Sequence, residues 1–226
     1  MGISIAISIL LIWAAHLLYS LALVEINYLS PLFFFHILLQ TYLFTGLFIT
    51  GHDAMHGTVS RNRLINQAIG YISVFLYAGM WYSTLIRYHG MHHLYPATEK
   101  DPDYSGRSQN FFAWWFRFMI HYLTWIQLVI MAVLYNILKI WFTDWSIIFF
   151  WVIPAVLSTF QLFYFGTYIP HRKPHTAQMG PHRARTLRKG HLLAMLSCYF
   201  FGYHLEHHES PRTPWWKLYQ LKSLRP

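Results

Sequence analysis

Four long apolar runs free of Asp, Glu, Lys and Arg constrain this chain more than any other feature: Ile3 to Val24, Pro31 to Thr50, Phe118 to Leu138 and Trp145 to Ile169. At about 1.5 Å per helical residue, roughly 20 residues cross a hydrocarbon core ~30 Å thick, so each run is long enough to span a bilayer. The first has no basic residues before it and no small-residue cleavage site, which predicts a retained helix and not a signal peptide. A short loop holding Glu25 and Asn27 joins the first two runs into a hairpin, and a turn around Lys139 and Asp144 joins the last two. Pro154 is expected to kink the last helix. Leu64 to Met80 is apolar but interrupted by Gly70 and Gly79, which predicts a segment lying at or dipping into the interface. The expected fold is an all-α integral membrane protein, residues 1–226 forming one domain of two helical hairpins (spans 3–24, 31–50, 118–138 and 145–169) with interfacial helices.

Composition agrees with this reading. Only 11% of residues are charged, against about 25% in soluble domains. The net charge of +9 does not point to nucleic acid, because the basic residues fall between apolar runs and form no continuous patch. Their distribution sets an orientation instead. With the N-terminus in the cytoplasm, 16 of the 17 Lys and Arg lie inside, between Arg61 and Arg117 or from Arg172 onward, leaving Lys139 outside. Cys198 is the one cysteine, so neither an internal disulfide nor a CxxC metal or redox motif exists.

Both long polar regions are rich in histidine. His52 and His56 stand in HDAMH, His89, His92 and His93 in HGMHH, and His204, His207 and His208 in HLEHH. Residues three or four apart share one helix face, so each box can aim two or three imidazoles at one point. His171, in YIPHR at the end of the last run, emerges at the level of the first box and is a ninth candidate ligand. A zinc ion uses three or four ligands, so this set is too large for one metal and suits two. Imidazole binds iron, copper, nickel and zinc alike, so ligand type does not name the metal. Neither HDAMH nor HLEHH carries the HExxH of zinc peptidases.

His16, His36 and His121 lie within apolar runs without a partner at ligand spacing, which favours packing or hydrogen bonding. His175 and His191 read as solvated histidines of a basic loop; His182, in the same loop, is the one that could add a ligand. Asp53, beside His52, could accept a hydrogen bond from a ligand imidazole and orient it. Asp101 and Asp103 could do the same, although their sequence EKDPDYS favours a turn. Trp215 and Trp216 beside Lys217 read as an interfacial aromatic anchor.

The order HxxxH, HxxHH, HxxHH around two membrane hairpins resembles the membrane fatty acid desaturase and hydroxylase superfamily of di-iron enzymes over nearly the whole chain. Within it, TGLFITGHDAMHG at 45–57, DPD at 101–103, QLFYFGTYIPHR at 161–172, PHRARTL at 181–187 and FGYHLEHHESP at 201–211 resemble bacterial-type β-carotene ketolases. The resemblance implies two Fe2+ ions, O2 as co-substrate and electrons from a reduced ferredoxin. It also implies oxidation of the C4 methylene of a carotenoid β-ionone ring to a ketone, taking β-carotene to echinenone and canthaxanthin, or zeaxanthin to astaxanthin. Residue by residue it carries ligand roles to His52, His56, His89, His92, His93, His204, His207 and His208, with His171 closing the last span and His182 as a tenth. The expected location is a bacterial inner or photosynthetic membrane, with both termini and the metal site cytoplasmic. The rival readings are a carotenoid hydroxylase, a fatty acyl desaturase, or a non-enzymatic membrane protein binding haem or zinc.

Overall fold

A computed structural model describes residues 1–224, and its secondary structure among these residues is helical throughout. The first hairpin is α1 (Gly2–Leu23) and α2 (Pro31–Met55). Its turn is made locally. The Asn27 side chain accepts from the Leu29 N–H at 2.9 Å, and Pro31 opens α2 at a position where its missing N–H costs nothing. Helix α2 is the central element, packed against α1, α3 and the last span.

Helix α3 (Arg63–Ala78) starts on Asn62, whose side chain accepts from the N–H groups of Leu64 and Ile65, and stops at Gly79 in the left-handed conformation, φ 64°. The chain then turns by 96° into α4 (Tyr82–Leu94), which carries the second histidine box. The interruption at Gly79 is therefore a bend that returns the chain to the histidine end of the bundle. Glycine suits it because a left-handed C-terminal residue carries no Cβ penalty.

The third expected span is not one straight helix. Residues 118–138 are divided between α5 (Phe111–Tyr122) and α6 (Trp125–Leu138), which meet at 88°. The cause is a helix start buried within an apolar run: the Thr124 side chain accepts from the Gln127 N–H while the Gln127 side chain accepts from the Thr124 N–H, a reciprocal cap. With 14 residues, α6 is about 21 Å long, short of the ~30 Å hydrocarbon core.

The last span, α7, runs from Asp144 to His171 over 28 residues. Three helices, α1, α2 and α7, are thus long and apolar enough to cross a membrane, or five if each bent pair counts as one span. The helix is not interrupted at Pro154. A π-helical turn at Ile148–Val152 immediately precedes the proline and widens the helix where its ring must fit. A second π turn at Tyr164–Tyr168 precedes Pro170 and His171. Beyond it come α8 (His191–Cys198), the six-residue α9 (His204–Glu209) with the third box, and α10 (Leu218–Ser223).

Candidate metal centre

The three boxes and His171 converge at one end of the bundle. His52 lies in the last turn of α2 and His56 caps it. His89, His92 and His93 come from α4, and His204, His207 and His208 from α9. Two groups result. In one, ligand atoms of His52, His56, His89 and His207 all lie within 4.8 Å of one another; in the other, those of His92, His171, His204 and His208 do. His93 stands between them. Its Nε2 is 3.1 Å from His89 Nε2 and 3.0 Å from His207 Nε2, and its ring centroid is 4.4 Å from that of His208.

This arrangement leaves buried nitrogen atoms without a hydrogen-bond partner among the described residues. The Nε2 atoms of His92, His204 and His208 form a triangle with sides of 3.4, 3.0 and 3.1 Å. A neutral imidazole carries one N–H, so such a triangle cannot be satisfied by mutual hydrogen bonds alone. His52, buried, has no hydrogen-bond partner on either nitrogen, and His171 has none on Nε2. Burial, then the neighbouring histidines, drives His204, His207 and His208 well below the ordinary imidazole range. Burial, with His92 nearby, holds His56 down to about 4. Neutral rings present lone pairs, the form in which histidine ligates a metal. The donor set therefore fits two metal ions held in four-histidine groups with His93 shared or added to the first.

Supporting contacts select which nitrogen points inward. The Asp101 carboxylate lies 3.0 and 3.1 Å from His92 Nδ1, so that nitrogen carries the proton and Nε2 faces the triangle. Asp101 also accepts from the N–H groups of Ala97 and Asp103. The residues around it favour a simple turn; the turn exists, and its purpose is to aim a carboxylate at a box histidine. His171 Nδ1 donates to the Arg183 carbonyl at 3.1 Å, which leaves its Nε2 free. Asp103 lies farther from His92, at 3.8 Å, and accepts from the Tyr122 hydroxyl.

Other expectations are corrected. Asp53 does not hold His52: its carboxylate is 3.8 Å from His52 Nδ1 and instead accepts from the Trp215 N–H at 3.1 Å. Trp215 is accordingly buried in protein against Tyr199 and is not an interfacial anchor, while Trp216 is partly buried beside it. His182 belongs to neither four-histidine group; its ring centroid is 5.5 Å from that of His208. His175 bonds the His171 carbonyl, and His191 bonds Tyr203 and Ser223. His16 bonds both Gln40 and His36, so these two intramembrane histidines are hydrogen-bonded as expected.

An apolar cavity ends on this cluster. His52, His89, His92 and His204 line it together with Phe48, Leu85, Phe118, Leu162 and Phe201. Tyr122, Leu123 and Gln127, at the unforeseen break between α5 and α6, form part of its wall. Its lining is mostly apolar, with imidazoles in one part of the wall.

The family model for fatty acid desaturases matches residues 26–133 and 120–226. The β-carotene ketolase of Paracoccus sp. (strain PC1) is 40% identical over 181 residues, covering 79% of this chain and 74% of its own length. The chain belongs to the fatty acid desaturase family, on its carotene ketolase branch. The zeaxanthin 4-ketolase of Chlamydomonas reinhardtii is 36% identical over 99% of the chain, which spans about half, 53%, of that protein's length. A β-carotene ketolase of Haematococcus lacustris is 38% identical over 81% of the chain and 60% of its own length. No solved structure matches this desaturase-family chain. Three residues inside the quoted motifs take part in roles that the motifs alone did not assign. Phe201 and Gly166 meet at the cavity wall, and the Arg183 carbonyl orients His171. A backbone carbonyl leaves no mark in a sequence, and Gly166 shows its role only against the ring that fills the space of its missing Cβ.

Proposed function

We propose that this chain is a carotenoid 4-ketolase: it oxidises the C4 methylene of a β-ionone ring to a ketone, with O2 as oxidant and a reduced ferredoxin as electron donor. The observation that carries the reading is the meeting of two four-histidine groups with the end of an apolar cavity, in a chain whose relatives include β-carotene ketolases and a zeaxanthin 4-ketolase. His52, His56, His89, His93 and His207 would hold one iron and His92, His171, His204 and His208 the other, with Asp101 and the Arg183 carbonyl fixing two of the rings. Bound iron supplies the O2 redox chemistry that no side chain provides.

The protein's own part is positioning. The mostly apolar lining of the cavity suits a hydrocarbon ring, and Phe201 packs against Gly166 in the wall beside the histidines. An allylic C4–H is weaker than an ordinary alkyl C–H, so reactivity alone does not select a single carbon along a polyene and placement must. Each round consumes one O2, two electrons and two protons, converts C–H to C–OH and releases water. Two rounds give a geminal diol, which loses water to leave the ketone. The unit sits in the membrane as two hairpins, with α5–α6 as a broken third span and the histidine end in the cytoplasm.

The test is pigment analysis after expression in a bacterial host that makes β-carotene. Echinenone and canthaxanthin are expected; hydroxylated carotenoids or newly unsaturated lipids in their place would overturn the reading.

A further inference from the structure

A second, larger cavity lies on the polar side of the same end, a groove of about 1160 Å³. Lys100, Arg107, Arg117, Lys173 and Arg183 line it, against one outward-facing acid, Glu99. Its other two acids, Asp101 and Asp103, are turned inward: Asp101 is buried on His92 and Asp103 is engaged by Tyr122. The outer surface of the groove is therefore strongly basic. Its wall reaches the metal centre directly, because Asp101 both lines the groove and bonds the His92 ring at 3.0 Å. Room on this scale suits the edge of a macromolecule better than a single ion.

The proposed oxidation draws two electrons per O2 from outside. We propose that this groove is the docking site of an acidic one-electron carrier protein, whose electrons enter through Asp101 and His92, one per docking event and two per O2. This rests on the oxygenase reading above. Charge complementarity supplies steering and orientation, so the cations should act on association more than on the chemical step. Lys100 and Arg107 are the informative positions: both are exposed and neither bonds a box histidine. Arg183 is less suitable, since it also holds the Ala97 carbonyl.

The experiment uses the iron-loaded chain of 226 residues in neutral-lipid nanodiscs with plant-type ferredoxin as the probe. Two quantities are measured: Kd for ferredoxin without carotenoid, and KM for reduced ferredoxin during turnover. The double variant Lys100→Glu with Arg107→Glu is expected to raise both by tenfold or more with kcat little changed, and to flatten their dependence on salt. Arg188→Glu with Lys189→Glu, exposed cations outside the groove, is the control and should change neither. An unchanged Kd in the groove variant, or an equal rise in the control, overturns the proposal. So does a groove variant that differs from wild type only in its retention on vesicles containing anionic lipid, which would make the groove a headgroup site. Should the double variant fail to retain iron, Arg117→Glu provides the same comparison. Ferredoxin binding lost in the groove variant while the wild type forms no ketocarotenoid would leave the docking site standing and remove the ketolase reading; the reverse outcome would do the opposite.

Discussion

Asp101 and Asp53 are both buried carboxylates next to box histidines in sequence or space, and only one of them serves a box histidine. The difference is reach. Asp101 sits in a tight turn whose own N–H groups fix its carboxylate on His92 Nδ1, whereas Asp53 directly succeeds His52 in a helix, where adjacent side chains diverge. Asp101→Asn is therefore expected to lower iron affinity or activity by roughly 10–100-fold, the usual effect of removing a group that orients a metal-bound imidazole. Iron content by elemental analysis and ketocarotenoid yield check it, and a fully loaded, fully active variant contradicts the assignment. HDAMH advertises Asp53 more plainly than EKDPDYS advertises Asp101. Sequence adjacency was the misleading signal.

Between residue and fold, the π turn at Tyr164–Tyr168 sets where His171 and Gly166 point. An added residue in the turn shifts the rest of the helix around its axis, bringing His171 into the second histidine group and Gly166 against Phe201. A Cβ on Gly166 would lie 2.1 Å from Phe201 Cε1, so the ring must move. Because Phe201 shares the cavity wall with His52 and His204, Gly166→Ala is expected to cut kcat/KM by roughly 10–100-fold through misplacement of the substrate ring, with iron content unchanged. Loss of iron in step with activity would show that the glycine serves folding instead. The break between α5 and α6 belongs to the same scale. Hydropathy sees one uninterrupted run at 118–138; only the Thr124–Gln127 capping pair hints at two helices, and Thr and Gln are ordinary residues in apolar spans.

For the molecule as a whole, the charge asymmetry makes a topological prediction. In a Cys198→Ala background, a single cysteine replacing Lys139 should react with a membrane-impermeant maleimide from outside intact cells, and one replacing Lys189 should not. Labelling in the opposite sense would invert the proposed orientation. Stability of the metal-free protein should depend on pH as well. His56, His204, His207 and His208 all have lowered folded-state values, so below about 6.5 the unfolded chain binds more protons than the folded one. Their contribution is complete above 6.5 and fades as pH falls towards about 4, where His56 is held. The melting temperature of chelator-treated protein should fall steadily from pH 7 to pH 5, by roughly 2–4 °C for each kcal/mol lost. The iron-loaded protein should change less, because coordinated nitrogens cannot take up protons. Equal curves for the two forms would sever the link between the histidines and the metal.

The helical class, three of the four expected long apolar helices and the convergence of the three boxes were readable from the residues, because helix periodicity and hydrophobic length are local properties of a chain. So was His171, by its position at the end of a span. Only the tertiary structure decided the division of nine histidines into two groups with His93 between them, the choice of Asp101 over Asp53, the cavity that ends on the imidazoles and the basic groove behind them. Each depends on distances between segments far apart in the chain, up to the 162 residues that separate Asp53 from Trp215, and those distances are set by the bends at Gly79 and Thr124 and by two π turns. A one-residue change in any of them rotates the downstream side chains around their helix, and nothing in local sequence fixes the result until the packed partner is present.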